Sequence, residues 1–200
     1  MTRALAACAF AATLVFGITG AAGAATMAAS KPSPKPTMSP QTAQLLALVK
    51  ATPKLKIDKS IPPSDAFDAK TSPYIAVLGV PEGQAVGGYL AGSEAHRGTL
   101  KDGDNVIAVP LESGGSGGVF TQIVFAQHQH AAYVYVGYIS SGGHLDVRVR
   151  DGAIVATLPY YGPNDANCCP SKFIVQTYAI AAGKLKQTGE KTVPTPKPSH

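Results

Sequence analysis

The stretch HLDVRVRDGAIVATL, residues 144–158, sets the fold class. Leu145, Val147 and Val149 alternate with Asp146, Arg148 and Arg150. Successive side chains of an extended chain point to opposite faces, so the aliphatic residues line one face and the charged residues the other. That is the pattern of an antiparallel strand with one buried and one wet face. Asp151-Gly152 follows at once, a dipeptide suited to the left-handed positions of a tight hairpin turn. AIVATL then returns to β-branched and aliphatic residues, so the chain doubles back as a second strand.

Outward from this hairpin the same texture repeats. YIAVLGV (74–80), NVIAVPL (105–111), GVFTQIVFA (118–126) and AYVYVGYIS (132–140) precede it. After the 144–150 strand, AIVATLPYY (153–161) and KFIVQTYAI (172–180) continue the series. Each is rich in Val, Ile and aromatic residues and is bounded by Gly, Asn, Asp or Ser. Ser140-Ser141-Gly142-Gly143 is short enough for a hairpin, and Ala182-Gly183 offers a further turn before KLKQT. Strands joined this closely pair antiparallel, and the missing helical crossovers argue against a parallel α/β enzyme fold. Upstream, Ser39 suits a helix cap and Pro40 the first helical position, while Leu45, Leu46, Leu48 and Val49 cluster at helical spacing. Pro53 ends that run. The expectation is a mainly β (β-rich α+β) domain, an antiparallel meander or small sandwich of about six to seven strands with one short N-terminal helix.

The ends of the chain have another character. Residues 1–25 carry Arg3, a long Ala-rich apolar run and the small-residue pattern Ala22-Gly23-Ala24, the composition of a cleaved secretory signal peptide. Leu5-Ala6-Ala7-Cys8 imitates a lipidation site, but the apolar segment follows Cys8 instead of preceding it. The expected mature protein has no lipid anchor and no transmembrane helix, and it is exported to a secreted, periplasmic or wall-associated location. A Lys/Pro-rich spacer follows over 26–38, the β-rich domain spans 39–187, and a Pro-rich tail closes the chain over 188–200.

Charge follows the same division. The net charge is +5 over 25–64 and +3 over 183–200, but −4 over 65–182. Nucleic-acid binding by the folded domain therefore lacks the basic face it needs. The basic tails suit contact with an anionic wall polymer or membrane surface instead.

TLKDG (99–103), GGSG (114–117) and DGAIVATLPYYGPNDANCCPSKFIVQTYAI (151–180) resemble the mycobacterial LppP/LprE lipoprotein family. The likeness covers about 80 residues, and its most specific part is the Gly-Pro-x-Asp-x-x-Cys-Cys-Pro-Ser run. It implies an exported envelope domain with no established catalytic activity. The missing lipidation cysteine departs from the lipoprotein members.

Cys168 and Cys169 are adjacent. A trans peptide holds neighbouring Cα atoms about 3.8 Å apart, whereas disulfides prefer roughly 4.4–6.8 Å. A vicinal bond thus needs a tight ring; two separately engaged thiols and a redox centre are the alternatives. His128 and His130, in AQHQHAA, would share one face if they lie in a strand, the beginning of a metal site. Its third ligand would come from His96, His144, Asp102 or Asp104, and the plainer reading is a polar turn. Tyr133 and Tyr135 have the same parity and would line one sheet face, to bind an extended ligand or to fill a core; Asp165 is a further binding candidate beside the cysteines.

KDGDN (101–105) lacks the closing Glu of a calcium loop, and SGGSGG (113–118) lacks the Lys-Ser/Thr of a phosphate loop. GGSGG (114–118) is flanked by strands, unlike a nucleophile elbow, and no Ser/His/Asp set stands out. The chain reads as an exported, non-catalytic binding or structural module without a cofactor, directed at an unidentified ligand or envelope component. The alternative is a redox or metal-dependent factor using Cys168 and Cys169 or His128 and His130.

Overall fold

Ser39 and Pro40 start a helix where the sequence places one. The computed structural model describes residues 38–63, 67–82, 86–115, 118–166 and 169–195. The expected signal peptide, the spacer up to residue 37, Cys8, Cys168 and residues 196–200 lie outside the described residues. All described residues belong to the 36–200 unit of the chain, one of two into which it divides.

Helix α1 spans Pro40–Ala51. The Ser39 hydroxyl accepts the Thr42 N–H at 3.1 Å, satisfying one of the donors that a helix start leaves unpaired. Thr52, extended ahead of Pro53, stops it. Leu45, Leu46 and Val49 are buried on one side.

Among the described residues eleven strands follow: β1 Leu55–Ile57, β2 Tyr74–Val77, β3 Gly87–Leu90, β4 His96–Thr99, β5 Asn105–Glu112, β6 Val119–Gln127, β7 Val134–Ser140, β8 Asp146–Arg150, β9 Ala153–Tyr160, β10 Lys172–Ala181 and β11 Lys184–Pro194. The first seven form one antiparallel sheet in the order β1-β2-β3-β5-β6-β7. β4 and β3 share one edge of β5, β4 along Asn105–Ala108 and β3 at Leu111 and Glu112. The last four form a second sheet in the order β11-β10-β9-β8, a plain meander.

Two cores lie on the two faces of the large sheet. Ile107, Val109, Leu111, Ile123 and Phe125 pack with Leu45, Leu46 and Val49 of α1. Val106, Ala108, Val124 and Ala126 pack with Val147, Ile154 and Ala156 of the small sheet. Fully burying a Leu, Ile or Val side chain is worth roughly 1.5–3 kcal/mol, so both interfaces are substantial. Covered on both sides, β5 and β6 are buried almost end to end. Their continuous apolar runs, in contrast to the alternating β8, follow from that position.

The mainly β antiparallel class with one N-terminal helix is what the structure shows. It adds β1, β3 and β4 to the strands read from sequence. The turn at Ala182-Gly183 does lead into a strand, which continues through Pro194 into the stretch taken as a tail from 188. Asp151-Gly152 turns with φ 51° and 70°, and Ala182-Gly183 with φ 50° and 70°, the paired left-handed values of a tight hairpin.

Candidate functional site

The two sequence-predicted tyrosines meet at a groove. Its one wall is the end of α1 and the following turn (Leu48, Ala51, Thr52, Pro53 and Lys54), and its other wall is Tyr133, Val134 and Tyr135. The volume is about 380 Å³. Pro53 ends the helix there and exposes the last turn, while β7 begins at Val134 as the terminal strand of the large sheet. Both tyrosines pack on the same core as α1. Tyr135 meets Phe125, its partner in the β6–β7 register, edge to face at 6.0 Å. Burial, reinforced by Tyr138, pushes the Tyr135 hydroxyl up to about 12, so it is a neutral donor at any physiological pH. Val134 is 57% exposed, the largest exposure among the big apolar side chains of the described residues. The arrangement has apolar walls with a few hydroxyls and one cation at the rim.

A bulge explains how β7 serves both cores. Val124 pairs with Gly137 and Phe125 with Tyr135, so Val136 is an extra residue. Tyr135 and Tyr138 consequently share the helix side, and Val136 and Ile139 the small-sheet side. Gly137, at φ 153°, lets Leu185 of β11 come within 2.9 Å of where its β-carbon would stand.

The histidine pair is placed differently from the strand reading. His128, Gln129 and His130 form the turn between β6 and β7, closed by the Ala131 N–H to the His128 carbonyl at 2.9 Å. Gln129 and His130 are left-handed, at φ 42° and 64°, so the two imidazoles do not lie on one strand face. Of the possible third ligands, Asp104 reaches one member of the pair: its Oδ1 is 2.5 Å from His128 Nδ1. The Asp104 side chain is 14% exposed and the His128 ring 65%, an orienting carboxylate behind an open imidazole. His96 instead lies against Asp146 and Arg148, His144 lies by Gly118, and Asp102 caps the Asp104 N–H. Among the described residues no three His, Cys, Asp or Glu side chains stand close enough to hold a metal. KDGDN is the turn between β4 and β5, with Gly103 at φ 89°.

Asp165 holds its own loop together. Its Oδ2 accepts the Gly162 N–H at 2.7 Å and the Ser171 N–H at 2.8 Å, joining both ends of the loop between β9 and β10. The backbone N–H of Gly162, then that of Ser171, holds the Asp165 carboxyl below the usual carboxylate range. The Cys169 N–H donates to the Ala166 carbonyl at 2.9 Å within that loop, and the Thr195 N–H donates to Ser171 at 3.0 Å beyond it. Cys169 is exposed. Pairing with Cys168 falls outside the described residues.

Sequence reasoning missed a second cavity, larger than the groove. A cleft of about 610 Å³ opens where β5 and β7 end and β6 begins, lined by Tyr74, Val86, Gly87, Gly88, Ser113, Phe120, Thr121, Ser140, Ser141 and Gly142. Residues drawn from four strands and from the turns beyond β5 and β7 carry no local motif. The one available signal was the Ser/Gly enrichment of the turns at 113–118 and 140–143.

Compared with known proteins, no protein-family profile matches the chain, no curated protein matches it, and no solved structure matches it.

Proposed function

We propose that this chain is an exported, non-catalytic binding module of the bacterial cell envelope, holding an extended polypeptide in the groove between α1 and β7. The observation that carries the reading is the convergence of Tyr133, exposed Val134 and Tyr135 on an open apolar groove at the terminal strand of a sheet. A terminal strand offers main-chain donors and acceptors to an added strand, and adjoining pockets take its alternate side chains. Export is supported by the leader-like residues 1–25 and by the resemblance to the LppP/LprE lipoprotein family over about 80 residues. Among the described residues no helix is long and apolar enough to cross a membrane.

Two measurements test this. Mass spectrometry of the protein recovered from a producing bacterium should find an N-terminus near residue 26 outside the cytoplasm; an intact Met1 in the cytoplasm refutes export. Amide chemical-shift titration of residues 26–200 with a Val/Thr-rich heptapeptide should move residues 48–54 and 133–135, and Val134→Asp should abolish the effect. An equal-length Pro-rich peptide should bind more weakly, because it lacks donors for strand addition. No movement at those residues at millimolar peptide refutes the groove.

One contact favours a second reading, a metal-dependent factor: the carboxylate of Asp104 orients the exposed His128 ring. Zinc titration of the same protein, followed at the His128 and His130 ring protons, distinguishes the two. The redox form of that alternative rests on Cys168 and Cys169 and is tested by the mass of the unreduced 161–172 peptide. A vicinal disulfide makes it two hydrogens lighter.

A further inference from the structure

We infer that the large cleft at the end of the seven-stranded sheet is a binding site for a neutral oligosaccharide of two or three sugar units. It is separate from the groove at Tyr133 and Tyr135, and the residues lining the two cavities do not overlap. The argument begins with what the cleft lacks. Among the described residues, none that lines it carries a formal charge. A phosphate, carboxylate or ammonium ligand would enter it without a partner, at a desolvation cost that nothing offsets. Five hydroxyl side chains line it instead: Tyr74, Ser113, Thr121, Ser140 and Ser141. Hydroxyls both donate and accept, which matches a ligand whose own polar groups are hydroxyls.

The aromatic component comes from an irregularity in the sheet. Leu111 pairs with Thr121 and Glu112 with Val119, so Phe120 is the extra residue of a bulge in β6. In a regular strand Phe120 and Thr121 would point to opposite faces. Here both line the cleft, and re-aiming a side chain is a recurrent consequence of bulges at binding sites. Phe120 is half-buried, and among the described residues Tyr74 is the one other aromatic residue of the lining. A pyranose has an apolar C–H face and a hydroxylated rim. An aromatic ring covers the first and hydroxyls pair with the second, which is the composition found here. The volume, about 610 Å³, lies in the range of small-ligand sites and exceeds what a single hexose fills.

The test uses residues 26–200 with three neutral trisaccharide probes: maltotriose, cellotriose and tri-N-acetylchitotriose. Amide shifts are followed at Gly87, Gly88, Ser113, Thr121, Ser140 and Gly142. At least one probe should move these residues saturably, and Phe120→Ala should weaken it about tenfold or more. Ser140→Ala, on an exposed strand end where folding is not at stake, should weaken it by a smaller factor. A glucuronic-acid trimer should bind less well than the neutral probes. Four results overturn the proposal: no shift with any probe at about 10 mM, shifts that map to residues 48–54 and 133–135, affinity unchanged in both variants, or preference for the charged trimer.

Discussion

Val149 of β8 occupies the space beside Gly98 of β4 where a β-carbon would stand. This contact lies on the seam between the two sheets, where His96 of β4 also meets Asp146 and Arg148 of β8. A methyl group at position 98 must push Val149 or the β4 backbone away. Overpacking of this kind typically costs about 1–3 kcal/mol. Gly98→Ala should therefore lower the thermal midpoint by several degrees, and Val149→Ala in the same chain should recover part of the loss. Calorimetry of the two variants and the double variant checks this; an additive pair would mean that the two residues do not share the seam.

Asp165 ties together the two ends of the loop at 162–171. Ionised, its carboxylate is the stronger, charge-assisted acceptor for the two backbone N–H groups at 2.7 and 2.8 Å. Because the folded-state pKa lies below the unfolded value of 3.8, the contribution is complete above that value and is lost as pH falls through the folded pKa. Asp165→Asn should speed amide exchange at Gly162 and Ser171 at neutral pH while leaving exchange in β5 and β6 unchanged. Loss of protection throughout the domain would contradict a local clasp.

How much of this was legible beforehand depended on whether the chemistry was local. β8 and β9 could be read because their alternation and their Asp-Gly turn are written in consecutive residues. α1 could be read because Ser39, Pro40 and Pro53 punctuate it. β1, β3 and β4 could not: LKI, GGYL and HRGT are only three or four residues long, and their pairing partners are set by the sheet. β11 extends beyond expectation because Lys191, Thr192, Val193 and Pro194 pair with Val175, Ile174, Phe173 and Lys172, an anchorage invisible in a Lys/Pro-rich sequence. At the candidate sites, the common face of Tyr133 and Tyr135 followed from parity. The facing wall, Leu48 to Lys54, is far away in sequence and had no signal. The His pair failed as a strand motif because Gln129 and His130 turn the chain with positive φ, which residue type alone does not announce.

Tyr135 offers a spectroscopic check on the groove. With its hydroxyl pushed up to about 12 by burial and by Tyr138, it should stay protonated when exposed phenols have ionised. Ultraviolet titration should show a late-titrating tyrosine that Tyr135→Phe removes. A peptide bound in the groove should delay it further by deepening its burial. An ordinary titration at position 135 would mean that the groove floor is wetter than its packing on Phe125 indicates.

The same seam that holds Gly98 contains a group sensitive to mild acid. His96 Nδ1 lies 3.1 Å from Arg148 Nη1, and its Nε2 lies 3.9 Å from Asp146 Oδ1. Partial burial, then the Arg148 guanidinium, lowers the His96 pKa below 6.5, while Asp146 and Glu94 oppose the shift. The neutral ring can accept from Arg148; the protonated ring must face a second cation. Between the folded and unfolded pKa values the unfolded chain binds more protons, so stability rises with pH across that window. The contribution is full above about 6.5 and is lost as pH falls toward the folded value. His96→Gln keeps an acceptor for Arg148 and removes the titration. The decline in thermal midpoint from pH 7 to pH 5 should therefore be smaller in His96→Gln than in the parent. Parallel declines in the two proteins would place the acid sensitivity elsewhere and leave the seam indifferent to protonation.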